Sequence, residues 1–148
     1  MNKYILIVED EKDIRDSLKI ILELNDFIVE VAENGQVGLQ KATEKKPDLI
    51  LCDVMMPILD GFGLLEQLRK NGIETPFIFL TAKAQYNDLR TGMNLGADDY
   101  IFKPFKSAEL LQSIERRLER KDQLELHLTN LVISLEQTIL LMVGHEFK

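Results

Sequence analysis

Asp48-Leu49-Ile50-Leu51-Cys52-Asp53-Val54-Met55-Met56-Pro57 is the stretch whose reading decides the fold. Its apolar run, Leu49 to Cys52, stops on a carboxylate, and a proline stands four positions further on. A short apolar run with no polar alternation fits a strand covered on both faces, as in a parallel sheet. Pro57 has no N–H for a ladder, so the chain must have left the sheet by that point. Asp53 then stands at the carboxyl end of a central strand, where open α/β sheets bind their ligands. The plainer alternative is an Asp53 that caps a helix starting near Gly61.

Outward from this strand the chain alternates. Tyr4 to Val8 reads as a buried strand ending on Glu9-Asp10. From about Glu11 the spacing turns helical, with Ile14, Leu18, Ile21 and Leu22 on one face, as far as Leu24-Asn25. Phe27 to Val31 predicts a second strand, and residues 35 to 45 a short helix closed by Pro47. After the central strand come a helix over residues 62 to 70, ended by Asn71-Gly72, and a strand over 76 to 80 that finishes on Thr81. A helix from about Tyr86 to Leu95 follows, and then a short strand, Tyr100-Ile101-Phe102. From Ser107 a helical pattern runs almost to the end. Five strands alternating with five helices imply right-handed βαβ units, a doubly wound α/β fold with a parallel sheet and helices on both faces.

At 148 residues the chain is one domain with something left over. Acidic residues outnumber basic ones, 25 to 18, for a net charge of −7. That balance disfavours a nucleic-acid face and suits a cation or a basic partner. No stretch reads as a transmembrane span or a signal peptide, so no membrane insertion is expected. The single cysteine, Cys52, excludes a disulfide within the chain and reads as a small buried hydrophobe; the expected compartment is the cytoplasm. Both histidines, His127 and His145, fall in the last fifth, away from the strand ends.

Four of the five strands finish on polar residues: Glu9-Asp10, Asp53, Thr81 and Lys103. Each has a dull reading alone, as a helix cap, a turn or a snorkelling amine. In a doubly wound sheet, however, all four ends face one crevice. A flavin-phosphate site would need a phosphate cradle where Glu9-Asp10-Glu11 stands, and those acids repel phosphate. A phosphatase of the haloacid-dehalogenase type would want an acid two residues after its nucleophile, where Met55 sits. Three carboxylates in one crevice repel one another unless a cation joins them. Mg2+ prefers such oxygen ligands while keeping several waters.

With Glu9-Asp10, Asp53 in Asp-Val-Met-Met-Pro, Thr81-Ala82 and Tyr100-Ile101-Phe102-Lys103-Pro104-Phe105, the chain resembles the receiver domains of two-component response regulators over roughly residues 3 to 120. The resemblance implies a flavodoxin-like strand order, 2-1-3-4-5. It implies that Asp53 accepts a phosphoryl group from the phosphohistidine of a histidine kinase or phosphotransfer protein. Asp10, Asp53 and the Met55 carbonyl would hold Mg2+, with Glu9 reaching it through water, and Lys103 would neutralise the transferring oxygens. Thr81 and Tyr100 would carry the switch. Met55 and Lys83 flank the route of hydrolytic water in the family. The acidic pair departs from the family's commoner Asp-Asp. A phosphorylation-independent scaffold is the alternative reading. A Lys103 that turns back over the pocket predicts a cis bond to Pro104.

Residues 121 to 148 form the remainder. Leu124, Leu128, Leu131, Leu135, Thr138 and Met142 recur at spacings of four and three, a heptad seam, and Leu126, Ile133, Leu140 and Phe147 make a second stripe. The pattern predicts a coiled-coil or bundle helix that pairs two chains. The final Gly144-His145-Glu146-Phe147-Lys148 resembles the start of the histidine-kinase H-box, which makes His145 a candidate second phosphoacceptor and the chain part of a receiver–histidine kinase. The family continues that motif with Thr-Pro, residues this sequence does not contain there.

Overall fold

The structure, a computed structural model, describes residues 2–82 and 86–146, with the backbone alone at 86–88, 145 and 146. The elements run β1 (Tyr4–Val8), α1 (Lys12–Leu24), β2 (Ile28–Ala32), α2 (Gly35–Lys45), β3 (Leu49–Asp53), α3 (Gly61–Lys70), β4 (Phe77–Thr81), α4 (Tyr86–Asn94), β5 (Asp99–Phe102) and α5 (Ser107–Glu146). The five strands are parallel, in the order β2-β1-β3-β4-β5. This is the flavodoxin-like order implied by the resemblance to receiver domains.

All five residues of β3 are buried, and they alternate between two cores. Ile50 and Cys52 join Leu6, Val8, Phe77 and Phe79 under α2, α3 and the end of α4. Leu49 and Leu51 join Ile5, Ile7, Ile78 and Leu80 under α1 and the first turns of α5. The period of two thus sends alternate side chains of each strand into opposite layers, as a sheet covered on both faces requires.

Strand boundaries move by one residue at β2, β4 and β5; β4 starts at Phe77, not Pro76. β2 begins at Ile28 and not Phe27, because the Phe27 N–H is taken by the Leu22 carbonyl (3.1 Å) as α1 unwinds through Asp26 at φ 67°. β5 begins at Asp99, which pairs with Ile78 and accepts the Ser113 hydroxyl of α5 at 2.5 Å.

α5 extends well past the domain. Leu110, Ile114 and Leu118 are buried against the sheet. Two ion pairs, Lys3–Asp122 (2.7 Å) and Lys121–Asp48 (3.3 Å), then fasten it to the amino ends of β1 and β3. From 122 to 144 every residue is exposed. One 18-residue window of this helix reaches a mean hydropathy of 1.5 with none of it buried, so by length and composition the helix is apolar enough to cross a membrane. That corrects the expectation that no stretch resembles a span. The signal escapes a search for unbroken apolar runs because uncharged polar residues interrupt it, with Glu136 the only charge between Glu125 and Glu146.

Candidate functional site

The carboxyl ends of β1, β3 and β5 bring Glu9, Asp10, Asp53 and Lys103 together. The Lys103 ammonium lies 3.1 Å from Glu9 Oε2 and 3.3 Å from Asp53 Oδ2, with only 15% of its side chain exposed. It is therefore no snorkelling surface amine. The Lys103–Pro104 peptide is cis, as expected for a side chain that turns back over the strand ends.

Glu9 is fully buried. Its Oε1 accepts the Glu11 N–H at 3.3 Å, while Arg15 holds the backbone beneath, donating to the carbonyls of Glu9 (2.8 Å) and Asp10 (3.3 Å). Asp10 is exposed and caps nothing: α1 starts at Lys12, after Glu11, without a side-chain cap. Nor does Asp53 cap α3. That task falls to Asp60, which accepts the Gly63 N–H at 2.7 Å. Both carboxylates are thus free of the helix-capping roles that would explain them away.

The electrostatics follow from this packing. Burial and the neighbouring Asp53 charge push the Glu9 carboxyl up to about 7, against the pull of Lys103. Burial alone would lower Lys103, but the charges of Asp53 and Glu9 outweigh it and the ammonium is held above its ordinary range. Beside them, burial pushes the Cys52 thiol well up, so it is an inert core group. Carboxylate oxygens of Glu9, Asp10 and Asp53 all lie within 4.8 Å of one another. Three acids against one ammonium leave the cluster short of positive charge. An all-oxygen donor set of that kind fits a hard divalent cation such as Mg2+.

The remaining predicted residues divide. Thr81 ends β4, one step past Leu80, the ladder partner of Asp53, and its carbonyl accepts the Lys103 N–H at 2.7 Å. Met55 lies two residues beyond Asp53 on the outgoing loop, 75% exposed. Tyr100 points away from the carboxylates toward α4, its ring 5.1 Å from that of Phe79. Lys83 lies outside the described residues, as do Phe147 and Lys148. His145 belongs to the helical backbone of α5, about 40 Å beyond Leu118 at 1.5 Å per residue, far from the pocket. Arg15 and Asp60, which fix the flanking loops, were not picked out in the sequence. Asp60 was readable as a cap three residues before Gly63, whereas Arg15 needs the fold.

The family model of the response regulator receiver domain matches residues 5–115, and the chain belongs to that family. Among curated relatives, the transcriptional regulatory protein DltR of Streptococcus agalactiae is 43% identical over 127 residues, 82% of this chain and 57% of that protein. The alkaline phosphatase synthesis transcriptional regulatory protein PhoP of Bacillus subtilis is 43% identical over 122 residues, 82% of this chain and 51% of its own. The chain thus spans about half the length of the curated relatives it matches. Among solved structures, the Francisella response regulator 1452 receiver domain superposes with a TM-score of 0.77 at 36% identity, covering 81% of this chain and 99% of that one. The receiver domain of sensor histidine kinase PA1611 from Pseudomonas aeruginosa, which has a magnesium ion coordinated in its active site cleft, superposes at 0.74 with 31% identity, covering 80% and 99%.

Proposed function

We propose that this chain is a phosphorylation-controlled receiver of two-component signalling, in which Asp53 accepts a phosphoryl group from a phosphohistidine. The observation that carries the reading is a carboxylate at the end of the central strand, 3.3 Å from a half-buried ammonium and grouped with two further acids. In the transfer, a carboxylate oxygen of Asp53 forms the new O–P bond as the N–P bond of the donor imidazole breaks, and the imidazole keeps the electron pair. Lys103 compensates the charge that builds on the phosphoryl oxygens. Asp10, Asp53 and the Met55 carbonyl would hold Mg2+, with Glu9 acting through water; the bound ion supplies further charge neutralisation. Thr81 and Tyr100 then report the new charge to the surface of α4 and β5.

Mass spectrometry after incubation with acetyl phosphate and Mg2+ tests this directly. One phosphoryl group on Asp53 is expected, and none on Asp53→Asn, which keeps the shape and loses the nucleophile. Equal labelling of that variant at the same rate would refute the assignment. No labelling of the wild-type chain would favour the alternative, a scaffold that works without phosphorylation.

We further propose that residues 1–120 are the receiver and that 121–148 are a dimerisation helix at the start of a histidine-kinase phosphoacceptor domain, acting in the cytoplasm. Support comes from the apolar residues of α5 beyond Leu118, which are all exposed, and from the His145-Glu146 pair near its end. Phosphohistidine survives alkaline handling, so the same spectrometry can read His145. A phosphoryl group there, after treatment with ATP and a kinase catalytic domain, is the expected result. Labelling confined to Asp53 would count against it.

A further inference from the structure

Helix α4 carries a glycine, Gly92, in its last turn, although only proline disfavours a helix interior more. Gly92 is buried, and the group lying against it is the phenol of Tyr100. A Cβ at this position would overlap Tyr100 Oη, and would stand 2.7 Å from Tyr100 Cζ and 3.0 Å from Phe79 Cε2. Tyr100 and Phe79 are ladder partners on β5 and β4, so both rings rise from the same face of the sheet toward α4. They lie 30° from coplanar, and the Tyr100 ring fills the space between Phe79 and the bare α-carbon.

The backbone of Gly92 is not free to retreat from that ring. Its carbonyl accepts the Ala97 N–H at 3.0 Å, and the Met93 carbonyl accepts the Gly96 N–H at 3.1 Å. With Gly96 at φ 99°, these are the two bonds of a Schellman helix end. Ala97 is buried in the core, and the Asp98 N–H bonds the Phe77 carbonyl at 2.8 Å, which ties the cap to β4 itself. The last turn of α4 is thereby fastened to the strand beside the ring. A methyl group at residue 92 has to be relieved by the ring, the outer end of a side chain with two rotatable bonds, and not by the helix.

We propose that Gly92 is a positioning residue for Tyr100: its missing side chain is the recess that receives the phenol, and any larger residue there turns the ring out to the α4–β5 surface. The functional weight of this rests on the reading of Tyr100 as a switch aromatic. On that reading Gly92 determines whether the inward position exists at all, without touching the phosphoacceptor.

Gly92→Ala in the full chain, labelled with 13C at its tyrosine rings, tests the proposal by NMR. In the wild type, Tyr100 ring protons should show cross-peaks to the Gly92 α-protons and to Phe79. In Gly92→Ala the cross-peak to Phe79 should disappear and none to the new methyl should replace it, while Tyr4 signals stay in place. A thermal-melting cycle guards against simple misfolding. Gly92→Ala should lower Tm in the wild-type background and by clearly less in a Tyr100→Ala background, where only Phe79 Cε2, 3.0 Å from the new methyl, has to give. Acetyl phosphate labelling of Asp53 should stay within about twofold of wild type, since the acidic cluster is untouched. Retained Tyr100 cross-peaks beside the new methyl, or an equal loss of Tm in both backgrounds, would overturn the proposal. If the wild-type chain takes no phosphoryl group, the signalling reading fails, and the ring's position still decides the role of Gly92 on its own.

Discussion

At the scale of single residues, Glu9 ties the site to pH. Its carboxyl titrates near 7 in the folded chain against an ordinary 4.5, because it is buried beside Asp53. Between those values the folded chain holds a proton that the unfolded chain has released. Its contribution to stability is therefore complete below about 4.5 and is lost as pH rises through 7. One proton sets the steepest slope at about 1.4 kcal/mol per pH unit. We expect Tm of the metal-free wild type to fall between pH 5.5 and 8 relative to Glu9→Gln, which has no proton to lose. Adding Mg2+ at pH 8 should restore the wild type, because an ion that binds only the folded chain stabilises it by mass action. Parallel melting curves for the two proteins across this range would dispose of the idea. Lys103 stays charged throughout, so it adds nothing to the difference.

Among the elements, helix starts show how far the sequence could be read. Asp60 accepts the Gly63 N–H at 2.7 Å and is the cap that starts α3. Asp60→Ala should cost about 1 kcal/mol, or about 2–4 °C in Tm, with Asp53 labelling still possible. An unchanged melting curve would show that the Gly63 N–H finds water as a substitute. Strands and helices were legible because burial on two faces and helical spacing are local signals: β1 and α2 run over the residues their patterns predicted. The acids and Lys103 were legible as a group because parallel topology sends all strand ends the same way. Less accessible were an irregular loop geometry and features produced by contact between distant segments. Ile58, although β-branched, sits at φ 71° inside the tight turn that the Leu59 N–H closes onto the Pro57 carbonyl at 2.8 Å, and no propensity announces it. Arg15 under the Glu9-Asp10 carbonyls and Gly92 under Tyr100 likewise acquire their roles only once the sheet is assembled.

For the whole molecule, the open question is what covers α5 beyond the sheet. Leu124, Leu128, Leu131, Leu135 and Met142 fall on one stripe and are 57%, 60%, 47%, 63% and 64% exposed. Full burial of such a side chain stabilises by about 1.5–3 kcal/mol, and each is already about half covered by its own helix, so pairing gains about 1 kcal/mol apiece. Ten side chains from two chains then gain about 10 kcal/mol, comparable with an association cost of about 4–15 kcal/mol. A pair held by the seam alone is therefore marginal. The second stripe of Leu126, Ile133 and Leu140 adds apolar area that favours further association. A bilayer would cover the same residues, but Glu136 lies near the middle of the apolar stretch, where lipid penalises a carboxylate. Light scattering should find the full chain dimeric or larger at tens of micromolar and a chain ending at Arg120 monomeric. Leu131→Asp should dissociate the full chain without lowering the receiver's own Tm, since Leu131 touches no part of the sheet core. Monomers in both lengths, equal dimerisation of the shortened chain, or sedimentation of the full chain with phosphatidylcholine vesicles would each refute the pairing.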